Sequence, residues 1–375
     1  MVQMILADST VEGIKNFINT ISQPAPFLGI STLALVVFLL GYRKLTHPAV
    51  AIAAGLGFTA FYAISAIDPN FRSIIVKPDN VPISIMMYGT GFCFWLAFFQ
   101  AARNDRRRER GQPLFEAGAE DKVLVWPDLV YIELICLILC TALLTIWAVV
   151  LRAPLEQPAD PSVAPNPAKA PWYFLGLQEL LVYFDPWIAG VLLPGFIILG
   201  LMAIPYIDKN PKGSGYYTVK ERPFAIGVFM VGFGLLWVVL IVFGTFLRGP
   251  NWNFFGPYEF WDAHRPVALV NIDFRDIVWV KLLGRGIPTE GIGPLPAYLV
   301  REAPGLAVLL GYFVLGPLIL YKLFFKRMYV QMGLIRYVLM THMLLWMLLV
   351  PIKMVLRWTL NLHYIVAITE LFFNV

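Results

Sequence analysis

Two side chains able to exchange protons, Tyr173 and Glu179, stand in one apolar run, Trp172-Tyr173-Phe174-Leu175-Gly176-Leu177-Gln178-Glu179-Leu180-Leu181. A phenol and a carboxylate beside an apolar hollow can orient a ligand bearing hydroxyl or carbonyl groups. A carboxylate within hydrogen-bond reach can also take its proton. Pro154, Pro158, Pro161, Pro165, Pro167 and Pro171 stiffen the lead into this run, and Asp185-Pro186 ends it. Residues 152–186 are therefore expected to form a lid, a rigid lead followed by a short helix folded back onto its support. An amphipathic helix resting in a headgroup layer, with Trp172 and Tyr173 as anchors, fits the same spacing.

Asp128 and Glu133 open another apolar stretch. A charge inside a bilayer is costly unless paired, so both are candidates for function. Asp128 also suits a helix start, where the macrodipole favours an anion. Glu133 lies more than a turn deeper and is expected to meet a basic partner. Arg336, His342 and Lys353 interrupt the last apolar stretch and are read as snorkelling or meeting partner helices. His47, His264, His342 and His363 never fall two to a stretch, so paired-histidine haem ligation is not expected. Cys93, Cys136 and Cys140 form neither a CxxCH nor a CxxC motif. Cys136 and Cys140 share a helix face, but two thiols alone make a poor metal site, so packing is expected and metal ligands are not.

The elements that must hold these residues follow from composition. Of 375 residues, 59% are hydrophobic and 14% charged, with a mean hydropathy of +0.70. That describes a membrane protein, and a net charge of +5 gives no support to nucleic-acid binding. A bilayer core needs roughly 20 mainly apolar residues per helix. Eight stretches qualify, near 26–43, 48–67, 82–102, 128–151, 187–207, 224–247, 304–325 and 335–356, with 357–375 left as an interfacial tail. Backbone in lipid must satisfy itself, so the fold class is an all-α integral membrane protein of about eight transmembrane helices. The cluster Arg103, Arg106, Arg107, Arg108 and Arg110 is placed inside by the positive-inside rule. Arg43, Lys44, Lys209, Lys212, Lys220, Arg222, Lys326 and Arg327 then also fall inside, and 152–186 falls outside.

The N-terminus lacks a basic start and is not read as a signal peptide; Val11 to Ile21 is expected to lie on the membrane surface. The blocks are an N-terminal interfacial segment (1–25), a three-helix block (26–102) and a basic linker (103–125). A further block (126–247) holds three spans, followed by an aromatic-rich outer segment (248–303) and the C-terminal helices and tail (304–375).

The run Pro171-Trp172-Tyr173-Phe174 resembles the Pro-Glu-Trp-Tyr signature of bc-type cytochrome b. The fuller resemblance is to the C-terminal half of cytochrome b, equivalent to subunit IV of cytochrome bf complexes. Trp126-Pro127-Asp128-Leu129 with Tyr131 resembles the entry to that subunit's first helix. Pro158-Ala159-Asp160-Pro161 resembles a loop segment, and Arg222-Pro223 the opening of its third helix. The resemblance covers about 126–247 and implies a haem-free subunit of a quinol–cytochrome c oxidoreductase. Pro171, Trp172, Tyr173, Phe174 and Leu175 would wall an outer quinol-oxidation pocket for menaquinol or ubiquinol. Electrons would pass to a Rieske iron–sulfur protein and to b haems on a cytochrome b N-terminal-half subunit, with a cytochrome c subunit as a further partner and protons released outside. The membrane implied is the bacterial inner membrane, with the loop periplasmic, and Asp128 matches a carboxylate near the inner quinone site that relays protons.

The signature glutamate is absent. Pro171 occupies its place, Ala170 that of the preceding proline, and Gly176 stands where the family has a proline. Glu179 is the nearest acidic substitute in sequence and is expected to accept the quinol proton. The alternative is a non-catalytic membrane scaffold that kept the helices and lost the proton chemistry. A transporter would show polar faces on several spans or inverted repeats, and the first three stretches are nearly uniformly apolar.

Overall fold

A computed structural model describes residues 2–118, 123–150, 158, 160–162, 164–209, 218–266 and 269–375. Pro154, Ala159 and Lys212 lie outside the described residues. Among the described residues, eight helices are long and apolar enough to cross a membrane: α2 (Pro24–Leu45), α3 (Pro48–Ser65), α5 (Val81–Glu109), α6 (Val125–Val150), α8 (Ile188–Ile207), α9 (Pro223–Leu247), α12 (Ala303–Met332) and α13 (Leu334–Leu360). The other helices are α1 (Val2–Ile21), α4 (Pro69–Ile75), α7 (Trp172–Leu180), α10 (Asp276–Leu282) and α11 (Ala297–Arg301). The eight expected stretches are all present, several of them extended at their ends.

Local chemistry sets the boundaries. Asp68 accepts from the backbone of Asn70 and Phe71 at 2.8 and 3.1 Å, and Pro69 begins α4 at a position where no amide proton is needed. His47 and Pro48 open α3 the same way, with Ala49 N donating to His47 Nδ1. α5 continues through the arginine cluster because cations suit a helix C-terminus. Gly333, with φ of 79°, separates α12 from α13 in a conformation costly for other residues.

The chain packs as two compact units. One comprises 1–36, 169–213 and 228–375; the other comprises 37–168 and 214–227. The block 126–247 is thus divided between them. In the first unit, Tyr183, Phe184 and Ile188 pack with Val239 and Phe243 of α9 and with Leu349 and Met354 of α13. The tail 362–375 folds into this core. Leu362, Ile365 and Val366 are buried, and β1 (Ala367–Ile368) pairs antiparallel with β2 (Phe373–Asn374). The tail is drawn in because its backbone bonds the 248–303 segment: His363 N donates to Ile272 O, and Phe274 N to Tyr364 O, each at 2.8 Å. Glu302, buried, ties it further, accepting from Arg275, Arg301 and Ala367 N. The surface expectation for the N-terminus meets a helix over Val2–Ile21, whose Val11, Ile14 and Phe17 are exposed while buried Asn19 accepts from Tyr258 N.

In the second unit, Tyr42 donates to buried Asp105, and Trp95 Nε1 donates to Thr46 O at 3.0 Å. Glu109 is shared by Arg43 and Lys220, and Glu221 pairs with Arg108. Arg103 and Arg107 lie over the Phe115 ring at 4.1 and 4.5 Å. No residue of α6 is buried, so the whole circumference of this apolar helix is open.

Candidate functional site

Residues 169–180 carry the sequence-predicted site, and their placement starts from glycine. A Cβ on Gly244 in α9 would stand 2.8 Å from Leu175 Cγ and 3.2 Å from Leu175 O, distances that only an absent side chain permits. A Cβ on Gly176 would make ordinary contact with Trp237 and Ile241 of the same helix, at 3.4–3.6 Å. Gly244 lets α7 lie directly on the last turns of α9, burying Leu175, Gly176, Glu179 and Leu180. At the start of α7, Lys169 Nζ donates to Thr245 O at 2.9 Å, and Ala170 N donates to Gln178 Oε1 at 2.7 Å. The lead into the helix is therefore held to α9 and to the helix itself.

Glu179 is fully buried, and both its oxygens are occupied. Arg248, just beyond α9, donates from Nε to Oε2 at 3.0 Å and from Nη2 to Oε1 at 2.7 Å, a bidentate pair. Tyr183 OH donates to Oε1 at 3.1 Å and Trp252 Nε1 to Oε2 at 3.2 Å. Burial would lower the Arg248 pKa, but Glu179 outweighs it and the guanidinium is held more firmly charged than usual. Burial first, then the Glu179 charge, pushes the Tyr183 phenol well above its ordinary range, so it remains a donor. A hydrogen-bonded pair at a carboxylate is how a charge is kept inside a protein at tolerable cost.

A tight turn brings the third donor in. Arg248 bridges Phe254, Gly249 N donates to Asn253 O at 3.0 Å, and Asn251 and Trp252 both take left-handed backbone at φ of 57°. Such backbone is strained for non-glycine residues and persists only where surroundings impose it. Here the turn lets Arg248 Nη1 donate to Trp252 O at 2.7 Å while the Trp252 indole reaches Glu179. The Arg248 guanidinium also lies 4.6 Å from the centre of the Phe254 ring.

The opposite side of α7 is different in kind. Tyr173 and Phe174 are 51% and 54% exposed, Trp172 is half-buried and Pro171 exposed. Trp172 meets Tyr173 edge-on at 5.5 Å, and Phe174 tilts against Tyr173 at 4.7 Å. The three rings make an open aromatic wall with one phenol hydroxyl in it. Of the expected site residues, Pro171 through Phe174 thus share one open face, while Leu175 and Glu179 are turned into the packing against α9. Asp128 is in the first turn of α6, exposed, and Glu133 is exposed on the same helix. Both belong to the second unit, whereas α7 belongs to the first.

Arg248, Trp252, Tyr183, Lys169 and Gly244 were missed by sequence reasoning. The one available signal was Arg248, a lone cation closing the most apolar span, which implied a buried acidic partner. Among the described residues no group of three or more His, Cys, Asp or Glu is placed to hold a metal ion. His342 Nδ1 lies 2.8 Å from Val338 O and its ring stacks on Phe313.

No solved structure matches the chain. Residues 158–257 match the family described as cytochrome b (C-terminal)/b6/petD. The match begins later than the resemblance read over 126–247, and it corrects the exclusion of the aromatic segment, since 248–257 falls within the family. The correction has a physical basis: Arg248 and Trp252 complete the site that Glu179 begins. α7, the end of α9 and that turn all lie inside the stretch that matches the cytochrome b C-terminal family, a family of membrane subunits of bc-type oxidoreductase complexes.

Proposed function

We propose that the chain is a haem-free membrane subunit of a quinol–cytochrome c oxidoreductase, and that Pro171, Trp172, Tyr173 and Phe174 form part of its outer quinol-oxidation pocket; Leu175, expected there from the sequence, is packed behind them against α9. The observation that carries this reading is the two-sided character of α7: one face locked into α9, the other an exposed aromatic wall, within the stretch that matches the cytochrome b C-terminal family. Proteins of this family bind quinone in bc complexes. In this reading Tyr173 touches the quinol ring and orients it through its hydroxyl. The wall is completed by a cytochrome b N-terminal-half subunit bearing the b haems, and electrons pass to those haems and to a Rieske protein, with a cytochrome c subunit beyond. The positive-inside argument supports a periplasmic position for the loop in a bacterial inner membrane, with Asp128 serving proton relay on the other side.

Glu179 enters this reading with a changed emphasis. Its two oxygens already accept four hydrogen bonds, so taking a quinol proton would require release of Arg248. A scaffold without proton chemistry is the second reading, favoured by Pro171 at the signature position and by the engagement of Glu179. The two are separated in the purified complex by cross-linking with a photoactivatable quinone. Label on Tyr173 or Phe174, displaced by a competitive inhibitor of the outer pocket, supports the pocket. No label there, with turnover unchanged in Tyr173→Phe, leaves the scaffold.

A further inference from the structure

We infer that Arg248, with Glu179, is a positioning residue for quinol oxidation: the buried pair fixes the angle at which α7 presents Tyr173, rather than exchanging protons itself. The inference rests on the pocket reading above. Its ground is geometric. Tyr173 and Glu179 belong to one short helix, so whatever fixes one end of that helix fixes the other. Glu179 sits near its C-terminal end and is held from three directions, by Arg248 and Trp252 of the 248–255 turn and by Tyr183 beyond the helix. Lys169, held by Thr245 O, restrains the N-terminal lead. Between the two ties lies Gly244, whose missing side chain sets the depth at which Leu175 seats. The exposed rings, by contrast, make no hydrogen bond within the described residues that would hold them. Their position is inherited from the helix.

Two further observations support the assignment. The turn that supplies Arg248 is itself strained, with consecutive left-handed residues at Asn251 and Trp252, and the cost is understandable if the turn must deliver two donors to one carboxylate. The pair is also bidentate, so it restricts rotation as well as distance, which lysine as a point charge cannot do. Reactive geometry is sensitive to this: a displacement of about 1 Å can cost up to about a hundredfold in rate.

The test uses the assembled complex carrying Arg248→Lys, Tyr173→Phe or both, read by hydrogen exchange over 172–180 and by quinol turnover. Exchange in α7 should rise in Arg248→Lys while that in α13 is unchanged, and kcat/KM should fall about tenfold or more. In the Tyr173→Phe background the same change should cost much less, because the hydroxyl it positions is gone. Conservation of the pH profile in Arg248→Lys is also expected, since no proton carrier is removed. Unchanged exchange in α7 would overturn the clamp whatever the site binds. Increased exchange with fully additive losses would overturn positioning. Increased exchange with normal turnover in all variants would overturn the quinol reading and this role together, leaving the clamp as architecture. Should Arg248→Lys fail to assemble, Trp252→Phe, which removes one donor and no charge, gives the same three readouts.

Discussion

Replacing Arg248 by Met tests how the buried pair is held. The change removes two charge-assisted bonds to Glu179 and one to Trp252 O. It leaves a carboxylate with no solvent exposure facing only two neutral donors, Tyr183 and Trp252. Breaking one side of a buried pair costs about 3–5 kcal/mol, mostly as the penalty of the charge left behind. Glu179→Gln alone should cost a similar amount by stranding Arg248, which is 8% exposed. The double replacement removes both charges, and the new amide can still accept from Tyr183 and Trp252, so its loss should shrink to about 1–2 kcal/mol. The cycle therefore predicts a coupling energy of several kcal/mol, at or above the usual ceiling of about 3 kcal/mol for neighbouring residues. Opening free energies of α7 amides, taken from hydrogen exchange in the assembled complex, give the quantity directly. Losses in the double variant equal to the sum of the single losses would refute the reasoning, because the two side chains would then be acting independently.

Other expectations follow from the same structure. Gly244→Ala should force Leu175 outward and cost about 1–3 kcal/mol of α7 stability, measurable as increased exchange over 172–180, whereas Gly227→Ala, with open space around it, should be silent. Burial lowers the His363 pKa below 6.5, with neighbouring Asp273 opposing, so the neutral ring is the folded form. Its contribution is complete above pH 6.5 and is lost as pH falls through the folded value, so tail protection should decline on acidification, and His363→Gln should flatten that dependence. Glu302→Gln weakens the charge-assisted bonds from Arg275 and Arg301 and should expose the backbone of 362–375 to exchange, at a cost of about 2–3 kcal/mol. Cys136 and Cys140, exposed on α6, should react with a membrane-permeant thiol reagent in the isolated chain and be shielded in the complex if a partner covers that helix.

The spans were legible because hydropathy alone determines them: lipid forces each apolar run to close its own hydrogen bonds, and length does the rest. The cap at Asp68-Pro69 is equally local, since the donors it satisfies are two and three residues away, but it went unread in the sequence. The tail at 362–375 was not legible, because its burial depends on backbone pairing with Ile272 and Phe274, about ninety residues earlier, which no local pattern records. The candidate site divides along the same line. Trp172 and Tyr173 stand out as a contiguous motif, but the role of Glu179 depends on Arg248, which is 69 positions away.

That distance changes what the missing glutamate means. A sequence reading looks for a replacement acid near Pro171 and finds Glu179, because proximity along the chain is all it can measure. In the fold, Glu179 points away from the aromatic wall and into the contact with α9, saturated by donors. A carboxylate so engaged is a good anchor, since a proton could reach it only if one of these donors were first displaced. If quinol oxidation takes place at Tyr173, its protons must then leave through a group that another subunit contributes or through water at the open face. Glu179→Gln discriminates here as well: loss of a titrating step from the pH–rate profile would restore Glu179 as the acceptor, whereas a uniform fall in rate at every pH is what an anchor predicts.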